Sequence, residues 1–279
     1  MLLTAGYLGS PPPPPPQIAF YFVHWITDLG GAEPTPLRGA EKFVLKFPQP
    51  VFRTIVASMP VVQRLAHTTP TALLEEYLHF SWGSSGLGPS PTGDGALALM
   101  RLLVQAQEPP KQQLLRLAFD AMEPTSRAIL AFEMALSGVG GEAFALAPSN
   151  MGGPAFLIYY SPAYLRHCCG AKDVKIARDA LHALAEVYRA ARLLWPLESK
   201  DASGQAASQT VTVMIDELKS SATAEVLGQY SAGKVWVLLR SNAKEAEVRR
   251  KPVDELAPLL AGGNCVLLRL WQGAVRAAE

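Results

Sequence analysis

DVKIARDALHALAEVYRAARLLWPLESKDASGQAASQTVTVMI, residues 173–215, contains the change of period that decides the fold. In its first half Val174, Ala177, Leu181, Leu184, Tyr188, Ala191 and Trp195 recur at alternating spacings of three and four. Such a row lies along one face of an α-helix, so the spacing predicts a helix over 172–195 with that face buried. Pro196 ends it. ESKDASGQAASQ, 198–209, is small and polar, the composition of a linker. At Thr210 the pattern turns to TVTVMI, rich in β-branched residues, which predicts a strand.

Toward the C-terminus, KVWVLLR at 234–240 and CVLLRLW at 265–271 read as buried strands. A weak internal repeat runs through them. Ile215-Asp216-Glu217-Leu218 returns as Val253-Asp254-Glu255-Leu256, and Val237-Leu238-Leu239-Arg240 as Val266-Leu267-Leu268-Arg269. Each unit reads as an acidic helix start, a short helix, a glycine turn and a strand, with Asp where a helix N-terminus favours it.

Toward the N-terminus the chain reads as helical. Helices are expected over 17–29, about 50–58, 69–82, 94–107, 110–122 and 124–137, separated by glycines and prolines. EKFVLKF, 41–47, fits helix or strand, and 138–154 reads as a long loop. Six prolines at 11–16 form a stiff leader of polyproline II type. The fold class is therefore α+β: a mostly α-helical N-terminal domain followed by a small α+β module. The expected divisions are a Pro-rich leader 1–16, a helical domain 17–196, a linker 197–209 and a module 210–279, whose short repeat is open to two readings, an internal duplication or a chance match.

The 279 residues suffice for such a pair, and 49% are apolar against 18% charged. A formal net charge of +1 argues against non-specific nucleic-acid binding. Low charge beside high apolar content points to surface covered by a protein partner or a second copy. Three cysteines, Cys168, Cys169 and Cys265, do not make a secreted disulfide framework, and no Lys or Arg precedes Arg38. The longest early apolar run, residues 18–26, is too short to span a bilayer. A soluble, intracellular, cytoplasmic protein without a membrane segment is expected.

FVHWITDLGGAEPTP, 22–36, places His24 and Asp28 four apart, on one face of the expected first helix. Glu76 and His79 have the E-x-x-H spacing of helical metal sites. If those two helices packed together, His24, Asp28, Glu76 and His79 would offer two imidazoles and two carboxylates to a divalent metal, and a carboxylate could act as base. Against that stands the absence of a second E-x-x-H and of H-E-x-x-H. The competing reading buries His24 and Asp28 in the N-terminal core, with Asp28 organising the turn after Gly30-Gly31 and Phe20, Phe22, Trp25 and Ile26 around them. GVGGEA, 138–143, lacks the order of a dinucleotide loop and the phosphate-binding lysine. Arg249-Arg250-Lys251 reads as a solvated strand face, and Tyr159, Tyr160 and Tyr164, around Pro162, could line a binding groove. The expected function is a protein-interaction or regulatory module with no cofactor. The alternative is a metal-dependent hydrolase using a divalent metal at the His/Asp/Glu set.

Overall fold

The computed structural model describes residues 16–17, 19–21, 23–24, 49–106, 108–139, 142–147, 153–170, 172–197, 210–220 and 233–270. The chain divides into two compact units, Met1–Tyr77 and Leu78–Glu279.

In the first unit, helix α1 spans Gln49–Gln63 and continues through Pro60, where the sequence suggested a break. A 3-10 turn, Arg64–Ala66, follows. Helix α2, Pro70–Ser84, begins as its sequence dictates: the Thr69 hydroxyl accepts from the Ala72 amide at 3.3 Å, and Pro70 occupies the first turn, where no amide is needed. Leu65 and Leu73 form a small core with Met59, Val61 and Val62. The described residues between 16 and 24 are helical, but Phe20 is 72% and Val23 58% exposed, and His24 is exposed too. This corrects the expectation of a buried first helix. An apolar segment with no polar side gives periodicity no face to choose. Asp28, Trp25, the prolines at 11–15 and the segments 41–47 and 198–209 lie outside the described residues.

The second unit is α+β. Helices α3 (Ala96–Ala106), α4 (Pro109–Asp120) and α5 (Pro124–Glu133) are followed by strand β1 (Ala155–Tyr159), α6 (Ser161–Gly170) and α7 (Val174–Leu194). Then come β2 (Thr210–Met214), α8 (Asp216–Ser220), β3 (Lys234–Asn242), β4 (Glu245–Pro252), a 3-10 turn, α9 (Leu256–Ala261) and β5 (Cys265–Leu267). Prolines start α4 and α5, and Asp173 caps α7 by accepting from the amides of Lys175 and Ile176 at 2.7 and 3.3 Å.

The five strands form one sheet in the order β1-β2-β4-β3-β5. β1 pairs parallel with β2 and β2 with β4, while β3 runs antiparallel to β4 and to β5. β1 was not foreseen, and it joins residues before the 197–209 stretch to the strands after it. A division there would run through the β1–β2 ladder. The repeated tetrapeptides lie on β3 and around β5, side by side and in opposite directions, so they do not hold equivalent places in the sheet. Helix 124–137 ends earlier, at Glu133, and strand 265–271 is regular only to Leu267.

Helix α7 fulfils its stripe: Ala177, Leu181, Leu184, Tyr188 and Ala191 are buried. It packs against α4, α5 and α6 and reaches the sheet at β3 and β5. Phe156 of β1 meets the rings of Tyr188 and Trp195 at 6.4 and 6.2 Å, so the even-numbered face of β1 looks toward α7. Arg192 fastens this end. Its guanidinium makes a two-pronged bond to Glu133 at 3.0 and 2.7 Å, donates to the carbonyls of Pro154 and Trp195, and lies over the Phe156 ring at 4.5 Å. Burial pushes the Glu133 carboxyl up, against the opposing pull of Arg192. On the other side of the sheet, α9 covers β3 and β5 through Leu256, Val237 and Cys265. No described helix is long and apolar enough to cross a membrane.

Candidate functional site

β1, β2 and β4 run in the same direction, so their carboxyl ends lie along one edge of the sheet. In open sheets of this kind that edge is the common place for recognition, because loops and helix starts gather there. Tyr159 closes β1 and Ser161 opens α6, leaving a single residue, Tyr160, to turn the chain. Its φ is 72°, left-handed, which is unusual for a bulky side chain. Its carbonyl accepts the first helical bond of α6, from the Tyr164 amide at 2.9 Å.

The turn presents two rings together. Tyr159 and Tyr160 meet edge to face with centroids 4.6 Å apart, and Tyr159 is 37% exposed. The Lys219 ammonium, from α8, sits 4.2 Å over the Tyr160 ring and pairs with Asp216 at 3.0 Å. Beneath the turn, the buried Ser161 hydroxyl donates to the Gln105 side chain of α3 at 2.6 Å, which ties the start of α6 to the helical layer. Alternation carries the surface inward from this edge. Leu157 is level with Thr212 and Tyr159 with Met214, and all four share the face opposite α7, half-buried or exposed. This combination of tyrosine, methionine and a polar rim suits recognition of another surface.

Tyr164 is separate. It points into the core, fully buried, and burial raises its hydroxyl well above the ordinary value. It faces the Cys168 thiol without a hydrogen bond of ordinary geometry. The expected groove of three tyrosines is thus a pair at the surface and one core residue. Cys168 and Cys169 are buried in α6, and burial lifts their thiols to about 12 and about 11, which keeps them protonated and inert.

Of the metal set, Asp28 lies outside the described residues and His24 is exposed, stacked at 6.4 Å on Phe20 one turn before it. Glu76 pairs with Arg64 at the surface, and His79, one turn further along α2, is exposed. Among the described residues no three His, Cys, Asp or Glu side chains gather in a way that could hold a metal ion. The residue that sequence reading passed over is Lys219. Its place above Tyr160 depends on β1 and β2 being neighbours, which neither segment announces. AFLIY itself, a short apolar run between Gly152-Gly153-Pro154 and Ser161-Pro162, carried the signal of a buried strand.

No family model matches this chain, and no curated protein or solved structure matches it.

Proposed function

We propose that this chain is a protein-interaction module that binds through the tyrosine edge and the half-open sheet face beside it. The single observation that carries the reading is Tyr160 held left-handed at the end of β1. Strain of this kind persists only where the surroundings enforce it, and it concentrates at functional positions. Here the turn displays two aromatic rings and a cation at the end of a strip formed by Leu157, Thr212 and Met214. Large aromatic side chains with little rotamer freedom are the residues that anchor protein interfaces. A partner chain or a second copy would cover the strip and bury the rings.

The test is the native mass of the protein, alone and with captured partners, for the parent chain and for a Tyr159→Ser/Leu157→Asp variant. The expected result is an assembly that the variant loses while its melting stays close to that of the parent. If the variant keeps the whole assembly, this face is not the binding surface.

A further inference from the structure

We infer that the end of the β3–β4 pair farthest from its hairpin turn binds a nucleotide, taking its base and its phosphate together. The register sets Trp236 directly opposite Arg250. Alternation places Lys234, two residues before Trp236, on that same face, within about 7 Å along the strand. The Arg250 guanidinium lies over the Trp236 ring at 5.9 Å. The basic row 249–251 is thereby split by the pleat. Arg249 bonds to Glu217 and Glu247, and Lys251 pairs with Glu255. The Lys234 ammonium and the Arg250 guanidinium, on the other face, have no carboxylate partner among the described residues; Glu217 takes only the Arg250 backbone amide, at 2.8 Å. Glu186 of α7 is engaged by Arg189 and by the Arg269 amide.

Trp236 is half-buried and Lys234 exposed, so ring and cations meet solvent together. Arg269 stands close by: the Leu268 amide before it donates to the Trp236 carbonyl at 2.9 Å, and Arg269 is exposed. An indole offers a stacking face to any base, and two uncompensated cations beside it suit a phosphate. Free phosphate would leave the indole without a role. The chain's net charge of +1 supplies no wider basic track for duplex binding, so the ligand is a single nucleotide, free or within a single strand.

The experiment titrates the full chain with AMP, adenosine, inorganic phosphate and a short single-stranded oligothymidylate, reading tryptophan fluorescence and heat. AMP should bind and quench, and adenosine and phosphate should each bind about tenfold more weakly or worse, since each keeps only half of the contacts. Trp236→Leu and Arg250→Gln should each weaken AMP by about tenfold, and Lys234→Gln should flatten the salt dependence. Tighter binding of the oligothymidylate, lost in the same variants, identifies a strand as the source; AMP binding without it identifies a free nucleotide. No binding of either at about 1 mM overturns the inference, as does binding that all three variants leave unchanged. Lys234 is exposed, so a Lys234→Gln/Arg250→Gln double variant decides the matter if Trp236→Leu does not fold.

Discussion

On the face of β1, β2 and β4 turned to α7, Phe156, Ile158, Val211, Val213 and Val248 are buried; on the opposite face of these three strands, Leu157, Tyr159, Thr212, Met214 and Glu247 are half-buried or exposed, whereas at β3 that opposite face is closed by α9 over Val237. Parallel strands are usually covered on both sides and read as unbroken apolar runs. TVTVM instead alternates, with half-buried threonines on the face away from α7. Over β1 and β2, one face is thus buried and the other stays partly exposed. Over β1 and β2, damage to the buried face should cost folding and damage to the partly exposed face should cost binding.

The largest effect is expected where the buried face is tied to the helices. Arg192→Ala removes both side-chain hydrogen bonds of the Glu133 carboxylate among the described residues, at a residue only 5% exposed. Breaking a buried pair from one side costs about 3–5 kcal/mol. The sign with pH follows from the Glu133 carboxyl, which burial holds above its unfolded value. A raised acid favours the folded state below the unfolded value, and that advantage is lost as pH rises through the folded one. The deficit of Arg192→Ala, measured by denaturant unfolding, should therefore be smaller at pH 5 than at pH 8, and Glu133→Gln added to it should recover part of the loss. An equal deficit at both pH values would place the cost in lost packing over Phe156.

Next in size is the contrast between adjacent residues of one strand. Ile158→Ala opens a cavity on the covered face and should cost about 2–5 kcal/mol. Leu157→Ala, one residue away on the open face, should cost roughly 1 kcal/mol or less. Equal losses would mean that both faces are covered in solution, and the division between them would fail.

A smaller effect comes from the far side of α7. Burial, and then the Arg178 charge, hold the His182 imidazole below its usual value, with Asp179 and Glu123 pulling the other way. A depressed histidine supports the fold fully above its unfolded value, about 6.5, and that support is lost as pH falls below it. The melting temperature should drop modestly between pH 7.5 and 5.5, and His182→Gln should flatten that slope. A parent protein with no slope in this window would show that the imidazole is solvated in both states.

How far the two faces could be read in advance depended on how local their signals were. The stripe of α7 and the strands β2 and β3 lie in continuous stretches with a clear pattern, and the structure keeps them. Glu133 and Arg192 are 59 residues apart, and Tyr160 and Lys219 meet only because β1 pairs with β2. Such contacts are products of topology, which the local pattern does not encode. The His24, Asp28, Glu76 and His79 set rests on spacing within two helices, and spacing alone cannot bring two helices together. In the tyrosine triplet, chain proximity was informative for Tyr159 and Tyr160 but misleading for Tyr164, which the turn of α6 directs inward.

The smallest expected change in stability tests the tyrosine edge most directly. A left-handed backbone costs a residue with a side chain about 1 kcal/mol or more, and glycine adopts it freely. Tyr160→Gly therefore relieves strain but gives up the Tyr159 ring contact and the Lys219 cation, each about 0.5–1 kcal/mol. The terms nearly cancel, so the variant should unfold within about 1 kcal/mol of the parent. Tyr160→Val has no such relief and crowds a β-branched side chain into the same φ, so it should lose about 2 kcal/mol. If the strain exists to display the ring, Tyr160→Gly keeps its stability and loses the assembly seen by native mass. A Tyr160→Gly protein that is more stable than the parent and assembles as well would mean that the left-handed turn merely joins β1 to α6, and the open face would have to recruit its partner without it.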